Sequence, residues 1–279
     1  MKPRLLFFDA IRIFSIVLVI VCHMATVFKL DWFPYEYAFD FLNLNPGPIG
    51  VSLFIFISGA MLEYTYSNLK NFDDIAEFYV KRLCRIYPAV WISLLIGLAL
   101  SPYLIATMSP VSVFVEFTGF NTWSGNWGGQ INQVCWFIGL IVSLYFMFPF
   151  ISASMKKYPV QMLCIIAFVE VFSRIILNLT HPSILGYGPE KWLPICRLLE
   201  FSFGIYVIQA DIYPKWTYTN EWILFFAEIS FYVYLVHYYG AMKILWYNSW
   251  VTYIVVVGIL AWMIMLADVK IQEKIKPYF

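Results

Sequence analysis

Charge is what this sequence has least of. Only 13% of its 279 residues are Asp, Glu, Lys or Arg, about half the share usual for soluble domains, whereas 62% are hydrophobic and 20% aromatic. That balance excludes a soluble globular chain and points to a polytopic membrane protein. No polar stretch is long enough for a separate soluble domain, so residues 1–279 read as one integral-membrane unit working in or beside a bilayer. A basic excess is also missing: 18 Lys and Arg face 17 Asp and Glu, so nucleic acid is not expected as a partner. The five cysteines (Cys22, Cys84, Cys135, Cys164, Cys196) stand singly, without the spacing of metal sites or disulfide frameworks. They read as small buried hydrophobes, and no metal site is expected. No internal repeat is evident, which counts against inverted-repeat transporter folds.

What is present in abundance is apolar runs. Windows of about 20 residues give about eight candidate spans, roughly 6–28, 48–67, 86–108, 133–153, 159–178, 194–211, 223–246 and 251–268. The expected fold is therefore an all-α transmembrane bundle. Charge placement orients it. Lys70, Lys81, Arg82, Arg85, Lys156, Lys157 and Lys215 fall on one side, with Lys2, Arg4 and Arg12 at the start and Lys270, Lys274 and Lys276 at the end. The other side holds Lys29 and Lys191. The positive-inside rule then puts both termini in the cytoplasm. The first run is too long for a secretory signal, carries Asp9 and Arg12, and lacks a small-x-small cleavage site, so it is expected to stay as the first span.

That first span, FFDAIRIFSIVLVIVCHM from Phe7 to Met24, carries three groups that are costly in hydrocarbon: Asp9, Arg12 and His23. At about 100° and 1.5 Å per residue, the steps from Arg12 to His23 place both on one helix face, about 16 Å apart. Asp9 lies roughly 21 Å from His23 and belongs beside Arg12, leaving His23 without an evident orienting partner.

Other positions carry two readings each. Gly50, Ser52, Ser58, Gly59 and Ala60 suit close helix packing. Arg82 and Arg85, three apart on one face, are either topology anchors or a phosphate clamp. The stretch TGFNTWSGNWGGQINQ, with Trp123 and Trp127, suits sugar rings stacking on aromatic faces, or is an ordinary outer turn. Glu170 and Arg174 form an i,i+4 pair that reads as structural. Arg197 and Glu200 are a similar pair, placed where a polar acceptor is within reach. His237, in SFYVYLVH, is by itself a weak candidate, because a buried histidine often just satisfies a carbonyl.

In order along the chain, these residues resemble the integral-membrane acyltransferase 3 family, whose members O-acylate cell-surface glycans and similar acceptors. FFDAIRIFSIVLVIVCH is similar to that family's Asp-Ala-x-Arg opening with ten residues between arginine and histidine. GVSLFIFISGAML resembles its glycine-rich second helix, KRLCRIYPAVW its basic run, and CWFIGLIVSLYFMFP its Trp-to-Tyr-to-Pro helix, which begins at Trp136. RLLEFSFGIYV and SFYVYLVH resemble later helices. Two features depart from the family: about eight spans instead of about ten, and Ile141 and Val142 where many members carry glutamates. The subgroup without a fused esterase-like domain is the closer comparison.

The resemblance implies a multi-pass enzyme of the cell (inner or plasma) membrane that moves an acyl group, with acetyl the first expectation. The donor would be cytoplasmic acyl-CoA, such as acetyl-CoA, used as a co-substrate with no tightly bound cofactor. The acceptor would be a hydroxyl of a polysaccharide or lipid-linked sugar. His23 would be general base or transient acyl acceptor. Arg12, Arg82 and Arg85 would hold CoA phosphates. Trp123, Trp127, Trp136, Arg197 and His237 would contact the acceptor. A glycan-precursor flippase and a non-catalytic subunit of a polysaccharide synthase are the alternatives.

Overall fold

The computed structural model describes residues 3–28, 46–123, 129–180, 189–217, 220–243 and 249–278. Most of these residues are helical, with no strand among them: α1 (Leu6–Phe28), α2 (Pro46–Tyr66), α3 (Phe72–Leu100), short α4 (Tyr103–Thr107) and α5 (Pro110–Thr118), α6 (Trp136–Lys157), α7 (Pro159–Thr180), α8 (Leu198–Gln209), α9 (Glu221–Lys243) and α10 (Trp250–Ile275). Short 3-10 turns cover Phe120–Thr122, Gln133–Cys135, Pro189–Lys191 and Pro194–Arg197.

Six helices among the described residues are long and apolar enough to cross a membrane: α1, α2, α3, α6, α7 and α10. Two of the eight expected spans lie outside these six. α8 has only 12 residues and is about 18 Å long, because the segment before it is spent on the 3-10 turn Pro194–Arg197. α9, at the other, is a helix of 23 residues, about 35 Å in length. The third span also starts well before residue 86. Asn71 caps α3 at Phe72, its side chain accepting from the Asp74 N–H while Asp74 accepts from the Asn71 N–H. This capping box draws the basic run into the helix. Just before the Trp123 stretch lies a further helix, α5, with Ser109 as its cap.

α1 packs between α2 and α9, α10 joins α9 to α3, and α6 touches α2 and α3, so the helices enclose a central space. α8 lies along α2 and α7. The α2–α8 contact depends on two glycines. A Cβ built on Gly59 would stand 2.0 Å from the Phe201 carbonyl oxygen, and one on Gly204 would stand 2.1 Å from that of Phe56. The close approach expected of the second helix is therefore real and reciprocal. The outward faces are apolar: Phe168, Phe172 and Leu179 on α7, and Ile254, Trp262 and Met263 on α10, are exposed, as suits lipid contact. Cys135 and Cys196 are buried, but Cys164 is exposed, which corrects the expectation of burial for that one.

Candidate functional site

The central space holds two cavities that share a wall. Asp9 is buried near the start of α1 and accepts from Arg4 Nε at 2.7 Å and from Arg12 Nη1 at 3.2 Å. Arg4 also pairs with Glu228 of α9 at 2.7 Å. From α3, Arg85 donates to Asp268 of α10 at 3.1 Å and to the Tyr232 hydroxyl at 3.3 Å, and Tyr232 in turn donates to Asp268 at 2.7 Å. Each arginine is thus tied to a buried or half-buried acid, which lowers the cost of holding a guanidinium inside a helical bundle. Arg4, Arg12 and Arg85 together line a cavity of about 380 Å³, walled also by Phe54, Ile141 and Tyr145. Ile141 and Phe54 keep that part of the wall apolar.

Arg82 goes elsewhere. It donates to the Tyr66 hydroxyl at 2.6 Å, lies over the Tyr66 ring, and lines a groove of about 680 Å³ with Lys81, Arg85 and Lys276. Arg85 and Glu228 belong to both groove and cavity, so the two basic spaces adjoin.

His23, about three turns along α1 from Arg12, lines a second cavity of about 540 Å³. Its walls also include Trp136, Trp192, Arg174, Lys191 and Arg197; no carboxylate lines it among the described residues. Arg197, buried at the start of α8, donates to Ser52 Oγ at 2.9 Å and pairs with Glu200 at 3.3 Å. Arg174 keeps its expected pair with Glu170 at 3.0 Å. Trp136 stacks obliquely toward Trp192 with ring centroids 6.4 Å apart. A loop completes the wall. Buried Glu116 of α5 accepts from the N–H groups of Gln130, Ile131 and Asn132, and Asn132 Nδ2 donates to the Leu235 carbonyl at 2.8 Å. Gly129, with φ +82°, starts that loop in the left-handed region that glycine tolerates.

Tyr234 of α9 lines both the arginine cavity and the histidine cavity. Its ring packs on Phe137 at 5.0 Å and Phe54 at 6.2 Å, and its hydroxyl donates to the Val134 carbonyl at 3.1 Å. This aromatic cluster is the partition between the two spaces.

The structure therefore brings Arg12 and Arg85 together, sets Arg82 in the adjoining groove, and gathers His23, Trp136 and Arg197 around one cavity. His237 is fully buried with its ring centroid 5.0 Å from that of His23, outside the cavity lining. Trp123 also lies outside the lining, half-exposed, donating its indole N–H to Ser143 at 3.0 Å. Trp127 falls outside the described residues. Sequence reasoning missed Arg4, Glu116 and Tyr234. The available signal for Glu116 was its being the one acid in residues 109–132, which carry no Lys or Arg; nothing local marked the other two.

Among known protein families, the model for an acyltransferase domain, that of the acyltransferase 3 family, matches residues 5–268. No curated protein and no solved structure matches this chain.

Proposed function

The chain belongs to the acyltransferase 3 family, and on that premise we propose that it transfers an acyl group, acetyl in the first instance, from acyl-CoA to a hydroxyl of a cell-envelope polysaccharide or lipid-linked sugar. The observation that carries this reading is the shared wall: a cavity of arginines and a cavity with a histidine meet at Tyr234. CoA is a polyanion with a long, thin arm. Guanidinium groups bind phosphate through planar paired hydrogen bonds, and an imidazole suits proton removal from a hydroxyl near neutral pH.

In this reading the nucleotide end of CoA lies in the groove of Lys81, Arg82 and Lys276 and reaches Arg12 and Arg85. The pantetheine arm passes the Phe54, Phe137 and Tyr234 cluster toward His23, a distance along α1 of about 16 Å. The acceptor enters the other cavity, where Trp136 offers a ring face and Arg197 hydrogen bonds, with Trp123 as an outlying contact for a longer glycan and Trp127 as a further proposed contact. His23 takes the hydroxyl proton as the oxygen attacks the thioester carbonyl. The Arg12 end of α1 faces the cytoplasm of a cell with both termini inside, and the membrane is the inner or plasma membrane.

Purified protein in lipid vesicles, given acetyl-CoA and envelope polysaccharide stripped of its esters with alkali, is expected to release CoA thiol only when the glycan is added. Acceptor-independent silence on both counts, combined with movement of a lipid-linked sugar across the vesicle bilayer, would replace this reading with that of a flippase.

A further inference from the structure

We propose that His237 is a positioning residue for His23: its imidazole accepts the His23 N–H and thereby fixes which ring nitrogen of His23 keeps a lone pair for the acceptor hydroxyl. The inference rests on the acyl-transfer reading above and deepens it.

Histidine that works as a base needs a fixed tautomer, usually set by a carboxylate or carbonyl on its other nitrogen. Among the described residues, no carboxylate lines the His23 cavity. Two rings of α9 stand against it: that of Tyr238, at 4.9 Å between centroids, and a second imidazole, that of His237, at 5.0 Å and 52° between planes. The His237 ring is fully buried. Its Nδ1 lies 2.6 Å from the Tyr234 carbonyl oxygen. A carbonyl only accepts, so Nδ1 carries the proton and Nε2 is left as an acceptor in the neutral ring. That Nε2 is buried and has no hydrogen-bond partner, a situation that costs about 1–3 kcal/mol and is rarely left without purpose. Of the other rings around it, Tyr234 already spends its hydroxyl on Val134, and Tyr238 is more distant at 6.5 Å. The proposed contact forms when the His23 ring turns about its side-chain torsions to present its N–H to this acceptor.

The step then balances. The sugar hydroxyl gives its proton to the free nitrogen of His23 while its oxygen bonds to the thioester carbon. The carbon–sulfur bond breaks, and the departing thiolate takes the proton back from the His23 imidazolium to leave as CoA thiol. The N–H shared with His237 stays in place throughout.

The test compares His237→Ala, His237→Leu and His237→Gln in vesicles with acetyl-CoA and ester-stripped envelope polysaccharide. Glutamine retains a carbonyl that can accept the His23 N–H, whereas leucine fills the space without an acceptor. The Ala and Leu variants are expected to lose about 10- to 100-fold in kcat, the scale seen when the hydrogen-bond partner that orients a metal-bound imidazole is removed, with the KM for acetyl-CoA unchanged. Glutamine should recover most of that loss, and added imidazole should raise the rate of the Ala variant but not of the Leu variant. A Leu variant with wild-type kcat would overturn the proposal. So would equal losses in Gln and Leu without imidazole rescue, which would mark His237 as packing. If the wild type itself shows no glycan-dependent thiol release, the acyl-transfer reading fails; if only His237→Leu is active where His23→Ala is dead, the positioning role alone fails.

Discussion

Replacing Arg12 by alanine removes one guanidinium from the arginine cavity while leaving its buried acid paired. Asp9 accepts from Arg12 at 3.2 Å, but it also accepts twice from Arg4, at 2.7 and 3.3 Å. Stripping a buried acid of all its partners costs about 3–5 kcal/mol; here Arg4 keeps the charge compensated, so thermal unfolding should move by no more than about 2–4 °C. Binding is a different matter. A hydrogen bond between a guanidinium and a phosphate contributes about 1.5–3 kcal/mol, which corresponds to about a 10- to 150-fold rise in the Kd for CoA. Calorimetric titration of CoA into detergent-purified Arg12→Ala reads this directly. Arg12→Lys, which keeps the charge but loses the planar fork, should fall between the two. Wild-type CoA affinity in a well-folded Arg12→Ala protein would remove Arg12 from the donor site.

Gly59→Val forces a side chain into the Phe201 carbonyl and should destabilise by about 3 kcal/mol or more in a detergent melt; Gly258→Ala, whose Cβ meets open space, should stay within about 0.5 kcal/mol of wild type. Tyr234→Ala opens the partition between the cavities and is expected to raise thiol release from acetyl-CoA in the absence of glycan; an unchanged background would mean that Tyr234 does not separate donor from water. Arg197→Gln should raise the KM for the glycan acceptor and leave CoA affinity alone, whereas a loss of CoA affinity would place Arg197 with the donor. Glu116→Gln cannot accept from three backbone N–H groups as a carboxylate does and should cost about 2 kcal/mol of stability.

What the sequence made legible was local. Asp9 with Arg12, Glu170 with Arg174, and Arg197 with Glu200 are three or four residues apart, and all three pairs form, because helix geometry alone sets their spacing. The separation of Arg12 and His23 along α1 is legible for the same reason. Contacts between distant helices carry no such signal: Arg4 to Glu228, Arg85 to Asp268, and His23 to His237 depend on how α1, α3, α9 and α10 pack. Arg82 and Arg85 share a helix face, yet their long side chains diverge to Tyr66 and Asp268. The start of α3 was a signal outweighed: Asn71 and Asp74 form a recognisable cap, but a window that counts only apolar residues passes over it.

The central assignment is that His23 performs the chemistry and the arginines hold the donor. It is tested most directly by measuring both quantities on one variant, His23→Ala, in the same vesicles. Glycan-dependent acyl transfer should fall to background while CoA binds with wild-type affinity; transfer that survives the substitution would contradict the role of His23 outright.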